Sequence, residues 1–389
     1  MQENNIQNPA QSAPPPQNWQ ETMRKARDEQ QKRRKKRILW AIPILTCVAA
    51  LVLLTVMVFV PKLRYDRAAR LEAKGELAHA AMAFGRLEDY ADAWQRSTEL
   101  WEQITRRDTV AVSAVHTVAV LADGTVVAAG ADGDDQCHVA DWENIVAVSV
   151  SDTHTVALRS DGRVEATGNN SSGCCNVASW RNIVAIEAGA SVTLGLRSDG
   201  TVVSAGANTA ESYALSQWTD IIAISAGNRW IVGLKADGTL VSTAPEPDPF
   251  DFENTWMEQI ASWTNVVSIA CGDTHTVALR SDGTVLFQDD SYYYFPDDCE
   301  HGAVAGWTDI VAIATAWEMT AGLKADGTVL ITSADVLEHT DVGYWTDVVA
   351  ISVGGDRIVG LRSDGTLVST SGNYYETRIT DRWENIRLP

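Results

Sequence analysis

Cysteine is scarce in this chain and badly placed for covalent bracing. Six occur in 389 residues, and the five beyond the first 60 are Cys137, Cys174, Cys175, Cys271 and Cys299. The number is odd and two are adjacent, which excludes a disulfide framework and the paired spacing of a zinc site. Cys137 and Cys175 each stand five residues before a tryptophan, and buried packing is expected of both. Catalytic signatures are missing too. There is no glycine-rich phosphate loop, no His-Glu-x-x-His and no Gly-x-Ser-x-Gly, so no enzyme, metal or cofactor is expected. Asp132-Gly133-Asp134-Asp135 is acidic and loop-like but fails the spacing of a calcium loop. Positive charge is thin after residue 61. Residues 1–61 hold nine Lys/Arg and four Asp/Glu, which leaves 22 basic and 47 acidic residues for the rest. So acidic a region is a poor binder of phosphate backbone, and nucleic acid is excluded as an expected partner.

One long apolar run is present. Ile38–Val60 is 23 residues without a charge. As a helix it would be roughly 35 Å long, enough to cross a hydrocarbon core of about 30 Å. Pro43 lies near its start, where a proline costs least. A buried soluble helix and a cleaved signal peptide are the alternatives, but the run lacks a polar face and exceeds the usual signal length. Lys32-Arg33-Arg34-Lys35-Lys36-Arg37 abuts the N-terminal end, against the sparser Lys62, Arg64, Arg67 and Arg70 on the other flank. Positive-inside asymmetry therefore orients a single-pass membrane protein with its N-terminus cytoplasmic and everything after Pro61 extracytoplasmic. Residues 1–37 are expected as a disordered tail with a basic cluster, 38–60 as the span and 62–107 as a helical segment. In that segment Ala68, Leu71, Ala80 and Phe84 are spaced as in one tetratricopeptide-like unit. A lone unit cannot bury its own apolar face, so it reads as a spacer packed on itself or its neighbour.

Residues 109–389 repeat. Asp-Gly pairs occur at Asp123, Asp161, Asp199, Asp237, Asp282, Asp326 and Asp364, at spacings of 38, 38, 38, 45, 44 and 38. A tryptophan stands 19 residues before six of them: Trp142, Trp180, Trp218, Trp263, Trp307 and Trp345. An Asn or Asp follows each two residues later, ahead of a β-branched pair, as in Trp142-Glu143-Asn144-Ile145-Val146. Each unit reads as three short strands, the last two joined by an Asp-Gly turn with both central residues at positive φ. Repeats of about 40 residues with several strands indicate an all-β propeller, one unit per blade, with the tryptophan as a plug between blades. Trp383-Glu384-Asn385-Ile386 begins an eighth unit, expected to close the ring beside the first blade.

Units such as Val184-Ala185-Ile186-Glu187-Ala188-Gly189 with Leu196-Arg197-Ser198-Asp199-Gly200-Thr201, and the Gly168-Asn169-Asn170-Ser171-Ser172-Gly173 connector, resemble the regulator of chromosome condensation (RCC1) family, also described as alpha-tubulin-suppressor-like. The resemblance covers residues 109–389 and implies a seven-bladed β-propeller, here of a membrane-anchored bacterial type. The family favours a histidine before the second strand. His116, His154 and His275 keep it, while Val192, Trp230, Met319 and Arg357 replace it. A metal ring is thereby disfavoured, and the histidines are expected to hydrogen-bond their turns.

The two longer spacings place insertions in the same connector of adjacent blades. One carries Phe250, Phe252 and Trp256, and the other Tyr292, Tyr293, Tyr294 and Phe295. Exposed aromatics on neighbouring loops fit a binding surface, and Asp289, Asp290, Asp297 and Asp298 favour a basic partner. The alternative is that these loops fold back over a blade edge. The expected function is a non-enzymatic protein-interaction module with an unidentified protein partner. A carbohydrate or cell-wall binding module is the rival, as is an inhibitor of a secreted enzyme such as a β-lactamase, an activity known within the family.

Overall fold

The structure is a computed structural model and describes residues 18–87, 90–105, 107–206, 209–228, 230–243, 259–289, 304–317, 319–332, 342–355, 357–370, 380 and 382–389. The chain divides into two units, Met1–Leu63 and Arg64–Pro389.

The first unit is helical. α1 spans Trp19–Leu54, a π turn follows at Thr55–Phe59, and α2 spans Val60–Ala73. Residues 19–37, expected without structure, are helical instead. Their Gln, Glu, Lys, Arg and Ala are strong helix formers, and Glu21–Lys25 and Glu29–Arg33 pair one turn apart. Pro43 is accommodated within α1, and the irregular turn lies further on, where Thr55 Oγ1 donates to the Leu51 carbonyl at 2.8 Å. Leu45–Ala73 is a helix long and apolar enough to cross a membrane.

In the second unit α2 turns at Gly75 into α3 (Leu77–Gly85), and α4 (Ala93–Ile104) packs beside it. Arg96 ties the three together: it pairs with Glu72, donates to Tyr65 Oη at 3.1 Å and lies 4.6 Å over the Phe84 ring. The apolar face of this trio does not pack on itself alone. Ala80, Met82, Phe84, Leu100 and Trp101 share one core with Val184, Leu194, Leu196, Val202, Trp218 and Ile221 of the propeller.

The strands are short and β-branched. Blade 1 holds β1 (Val110–Val112), β2 (His116–Val120) and β3 (Val126–Gly130), and blade 2 holds β4 (Ile145–Val150), β5 (His154–Arg159) and β6 (Val164–Gly168). Blade 3 holds β7 (Ile183–Ala188), β8 (Thr193–Arg197) and β9 (Val202–Ala205), followed by α5 (Thr209–Ser216), a connector helix the repeat pattern does not announce. Blade 4 holds β10 (Ile221–Ala226), β11 (Ile231–Lys235) and β12 (Leu240–Ser242), and blade 5 holds β13 (Val266–Cys271), β14 (His275–Arg280) and β15 (Val285–Asp289). Blade 6 holds β16 (Ile310–Ala316), β17 (Met319–Lys324) and β18 (Val329–Thr332), and blade 7 holds β19 (Val348–Gly354), β20 (Arg357–Arg362) and β21 (Leu367–Ser369). Each blade is one antiparallel three-stranded sheet in sequence order, giving seven sheets among the described residues, a seven-bladed propeller.

The plug tryptophans work as the repeat implies. Trp180 packs with Val156, Leu158 and Val164 of blade 2 and with Ile183 of blade 3. The middle strand keeps a small residue beneath the indole: a Cβ added to Gly195 would lie 2.8 Å from the Trp180 ring, and one on Gly322 would lie 2.6 Å from Trp307. The Asn or Asp two residues after each tryptophan has a structural reason as well. Asn144, Asn182, Asp220, Asn265, Asp309, Asp347 and Asn385 all sit at φ of about 60°, a left-handed conformation these residues tolerate best after glycine.

The Asp-Gly turn departs from expectation. Only the glycine has positive φ, from 75° at Gly162 to 84° at Gly124. Gly162 N donates to Arg159 O at 3.0 Å, so Ser160 and Asp161 are the central residues of a turn and the glycine forms the bulge after it. The aspartate instead braces the turn: Asp364 Oδ1 accepts from Thr366 N at 3.0 Å and from Thr366 Oγ1 at 2.6 Å. These bonds hold the carboxyls of Asp123, Asp237, Asp282, Asp326 and Asp364 below their ordinary range.

Ring closure takes a specific form. In blades 2–7 the inner strand starts with one paired residue, bulges, and resumes, as at Ile145 and Ala147. Blade 1 makes the same strand from two chain segments. Ile386 bridges Leu121, Ala122 N donates to Asn385 O and Arg387 N donates to Val120 O (2.8 Å each). Val110–Val112 then continues the pairing. Ile386 is buried with Val110, Ala119, Leu361 and Leu367 of the first and last blades.

Candidate interaction face

The propeller has two unlike faces. The face of the Asp-Gly turns is partly occupied by α3 and α4. Trp101 Nε1 donates to Ser198 O at 3.0 Å, Arg86 donates to Asp199 O at 3.2 Å and pairs with Asp220, and Met82 Sδ lies 2.6 Å from where a Gly200 Cβ would be. Those contacts sit on the turn of blade 3 and at the start of the inner strand of blade 4, both on this face.

The opposite face carries the turns between inner and middle strands. The inner strands of all seven blades line a central channel of about 360 Å³, which these turns surround. Polar latches seal the seams between blades just beneath the turns. His116 Nε2 meets Thr155 Oγ1 at 2.8 Å, His154 Nε2 meets Thr193 Oγ1 at 2.9 Å, and His275 Nε2 meets Thr320 Oγ1 at 2.9 Å. Trp230 Nε1 donates to Thr276 Oγ1 at 2.9 Å from the equivalent position, and Arg357 donates to Ser113 O at 2.8 Å across the closing seam. The histidines do also bond their turns, Ser113 Oγ to His116 Nδ1 at 3.0 Å and Ser151 Oγ to His154 Nδ1 at 2.7 Å. Their second bond, into the next blade, is the one the sequence reading missed. Burial pushes both imidazoles down to about 4, with the Arg357 charge adding to the effect at His116.

A second latch runs along the inner strands. Ser352, Ser149 and Ser225 Oγ accept the backbone N–H of Val112, Ala188 and Cys271 in the next blade, at 2.9–3.1 Å. In blade 3 the same position is Glu187, whose Oε1 lies 3.5 Å from Ala226 N and 3.4 Å from Ser225 Oγ. Burial pushes the Glu187 carboxyl up to about 8, and the charge of Asp108 adds to it.

The turns at the channel mouth align as Ala114, Asp152, Ala190, Asn228, Asp273, Trp317 and Gly355. Trp317 is the outlier. It is half exposed, and its φ of 48° is a conformation that costs a bulky residue on the order of 1–3 kcal/mol. Two neighbours hold it: Asp273 N donates to Trp317 O at 3.1 Å, and that oxygen passes so close to Gly272 that a Cβ there would lie 2.8 Å away.

The expected binding loops start from this same face. Thr243 N donates to Ile231 O at 2.9 Å and His275 pairs with Asp289, so both outer strands end beside these turns. Phe250, Phe252, Trp256, Tyr292, Tyr293, Tyr294 and Phe295 themselves lie outside the described residues. In blades 1 and 2 the equivalent connectors are described and brace one another, Asp132 and Asn170 accepting the N–H of Cys137 and Cys175 at 2.9 Å and Asn169 Nδ2 reaching Asp134 at 3.2 Å. Asp132 and Asp135 also face His138. The cysteine expectation is corrected: Cys137 and Cys175 are only partly covered, and among the described residues the buried thiols are Cys174 and Cys271. The connector bends back so that Cys174, one residue earlier, points inward with Sγ 3.1 Å from Asn169 O. Trp317 and Glu187 escaped the sequence reading, although aligning the units on their Asp-Gly pairs exposes both as departures from small or short residues.

The chain matches the family model of the Regulator of chromosome condensation (RCC1) repeat at residues 145–174 and 266–286, in blades 2 and 5. No curated protein matches it significantly. Among solved structures it is similar to the CRINKLY WD40 ectodomain of the Arabidopsis thaliana receptor kinase ACR4, with TM-score 0.53 and 15% identity over 68% of this chain and 94% of that one. It is also similar to the ectodomain of the Physcomitrella patens receptor kinase CR4, with TM-score 0.49 and 19% identity over 67% and 72%. Prp20p from Saccharomyces cerevisiae gives TM-score 0.36 and 15% identity over 72% and 75%. At 15% identity the likeness to the ACR4 ectodomain is one of fold.

Proposed function

The chain is an RCC1-repeat protein, and from that premise we propose that its propeller is a non-enzymatic protein-interaction module, held by a single membrane span and displayed on the extracytoplasmic side. The observation that carries this reading is the inequality of the two faces. The segment through which the chain enters the propeller packs over the Asp-Gly turns, and the open face bears the channel mouth, the exposed Trp317 and the starts of both aromatic connectors. An acidic unit of this size attracts basic protein surfaces and repels nucleic acid. The basic flank before the apolar run supports the orientation.

Two measurements test the reading. Protease added to intact cells should remove the region after Pro61; a protected propeller would place it in the cytosol. Replacing Tyr292, Tyr293 and Tyr294 with Ser should weaken capture of the partner in crosslinking on intact cells and leave the melting temperature unchanged. Normal capture with earlier melting would assign those loops to covering the propeller. A carbohydrate-binding reading draws on Trp317, since exposed indoles also serve as sugar platforms, and glycan-array binding that depends on Trp317 would favour it.

A further inference from the structure

We propose that the mouth of the central channel is a receptor for a single lysine or arginine side chain presented by a loop of a protein partner, with Trp317 as the platform for the cation. The inference rests on the protein-interaction reading and adds the site and the chemistry of its occupant. Three observations converge on it. Trp317 presents an indole that is half exposed at the rim of a cavity, at a turn position that holds only small or polar residues in the other six blades. The turn that carries it is fixed by the Asp273 N–H bond to the Trp317 carbonyl, and the indole lies beside Gly355 of the next blade, where an added Cβ would stand 3.7 Å from Cζ2. A fixed aromatic face binds a cation better than a mobile one, since the ordering is done beforehand.

The channel supplies the matching charge. Asp152 and Asp273 stand in the mouth turns, and Asp108 belongs to the wall further in; no Lys, Arg or His is among the described residues that line it. The wall below the mouth is Val, Ile, Ala and Ser, suited to the aliphatic stem of a long basic side chain whose head meets the carboxylates. A channel of about 360 Å³ accommodates one such side chain, not a folded segment. Neither aromatic connector is needed for this contact, so the two parts of the face are separable.

A constrained-peptide library displayed on phage and selected on the full-length protein in detergent tests the proposal. Peptides enriched on the wild type should carry a central Lys or Arg, and replacing that residue with citrulline or norleucine should cost at least tenfold in affinity. Trp317→Ala should weaken the same peptides at least tenfold, Trp317→Phe should retain part of the binding, and Asp152→Asn with Asp273→Asn should flatten its salt dependence. Trp317→Ala removes an exposed and strained residue, so its melting temperature should not fall; if it does, Trp317→Phe and the two aspartate variants still decide. Basic peptides that bind Trp317→Ala as well as wild type, but lose affinity with the Tyr292–Tyr294 serine variant, would overturn this site while sparing the interaction reading. Enrichment of peptides without basic residues would overturn the occupant, and failure to enrich any peptide would count against both.

Discussion

The seam that closes the ring and the seam between blades 6 and 7 are built on opposite principles. At the closing seam Arg357 reaches Ser113 O, Ser352 accepts Val112 N, and the segment around Ile386 is hydrogen-bonded to both Gly365 and Leu121's neighbours. At the seam between blades 6 and 7 the two latch positions are Met319 and Ala314, which cannot make either bond, and cohesion comes from Leu323, Trp345, Ile351, Val353 and Ile358. Every other seam has at least one of the two polar latches. Since the other consecutive seams also carry a latch, the difference teaches where polar pairing can be spared. Blades 6 and 7 are consecutive in the chain, so their connector keeps them adjacent and apolar packing suffices. Blades 7 and 1 have no short connector, so directional bonds and a borrowed strand segment must define the register.

The sharpest break of that comparison is removal of residues 383–389. It exposes the apolar cluster around Val110 and Leu361 and abolishes three backbone bonds to the first and last blades. Loss of Ile386 burial alone is worth about 2–5 kcal/mol and the bonds about 1 each, so destabilisation of at least about 5 kcal/mol, or aggregation, is expected in thermal melts. An unchanged melting temperature would show that the ring closes otherwise.

Arg357→Met gives the closing seam the methionine of its apolar counterpart while keeping the Ser352 latch. Two charge-assisted bonds to Ser113 O are lost, at a cost of about 2–3 kcal/mol in denaturant melts. The same variant should raise the titration of His116, because the Arg357 charge helps depress it. A neutral effect would mean that packing alone holds both seams.

Titration separates polar seams from apolar ones. Unfolded histidines titrate near 6.5, whereas folded His116 and His154 titrate at about 4. Between those values the unfolded chain binds two protons more than the folded one, so stability falls as pH falls. Glu187 acts the other way: its carboxyl stays protonated up to about 8 when folded and to about 4.5 when unfolded, so stability falls as pH rises between them. From pH 4.5 to 6.5 the net is one proton, about 1.4 kcal/mol per pH unit, and from 6.5 to 8 it is one proton of opposite sign. Stability set by these groups should therefore peak near pH 6.5. Glu187→Ser, which restores the serine of the other latches, should remove the alkaline decline and leave the acid limb; a decline that persists would assign it to other groups.

The smallest effect is the most specific. Met319→His alone should cost about 1–3 kcal/mol, because the facing residue is Ile358 and the imidazole would be buried without a partner. Adding Ile358→Thr rebuilds the His–Thr pair, so the double variant should be more stable than the two single losses summed. Strict additivity would refute the equivalence of the positions.

Most of this architecture is legible in the sequence because it repeats. The Trp-x-Asn/Asp step, the Asp-Gly pair and their register mark each blade, since each marks a backbone position with one acceptable conformation. The turn type was misjudged because the residue before the aspartate takes a central place in it, which no dipeptide preference reveals. The latches were not legible because partners such as His116 and Thr155 are 39 residues apart and belong to different units. The candidate site divides similarly. Insertion lengths pick out the aromatic connectors, whereas Trp317 looks ordinary until the blades are superposed and its neighbours prove to be small or polar.

The split inner strand of blade 1 has a kinetic consequence. Six blades can each assemble from a contiguous stretch of about 40 residues, from contacts close in sequence. The remaining one needs Leu121 to meet Ile386, so its sheet stays unfinished until both distant stretches are free to pair. Emergence from the ribosome, or passage through a membrane as an unfolded strand, would thus leave one vacancy in the ring until the segment around Ile386 arrives. Until then blades 1 and 7 expose the apolar edges that chaperones and proteases recognise, which makes that late step a natural checkpoint on whether the molecule is finished.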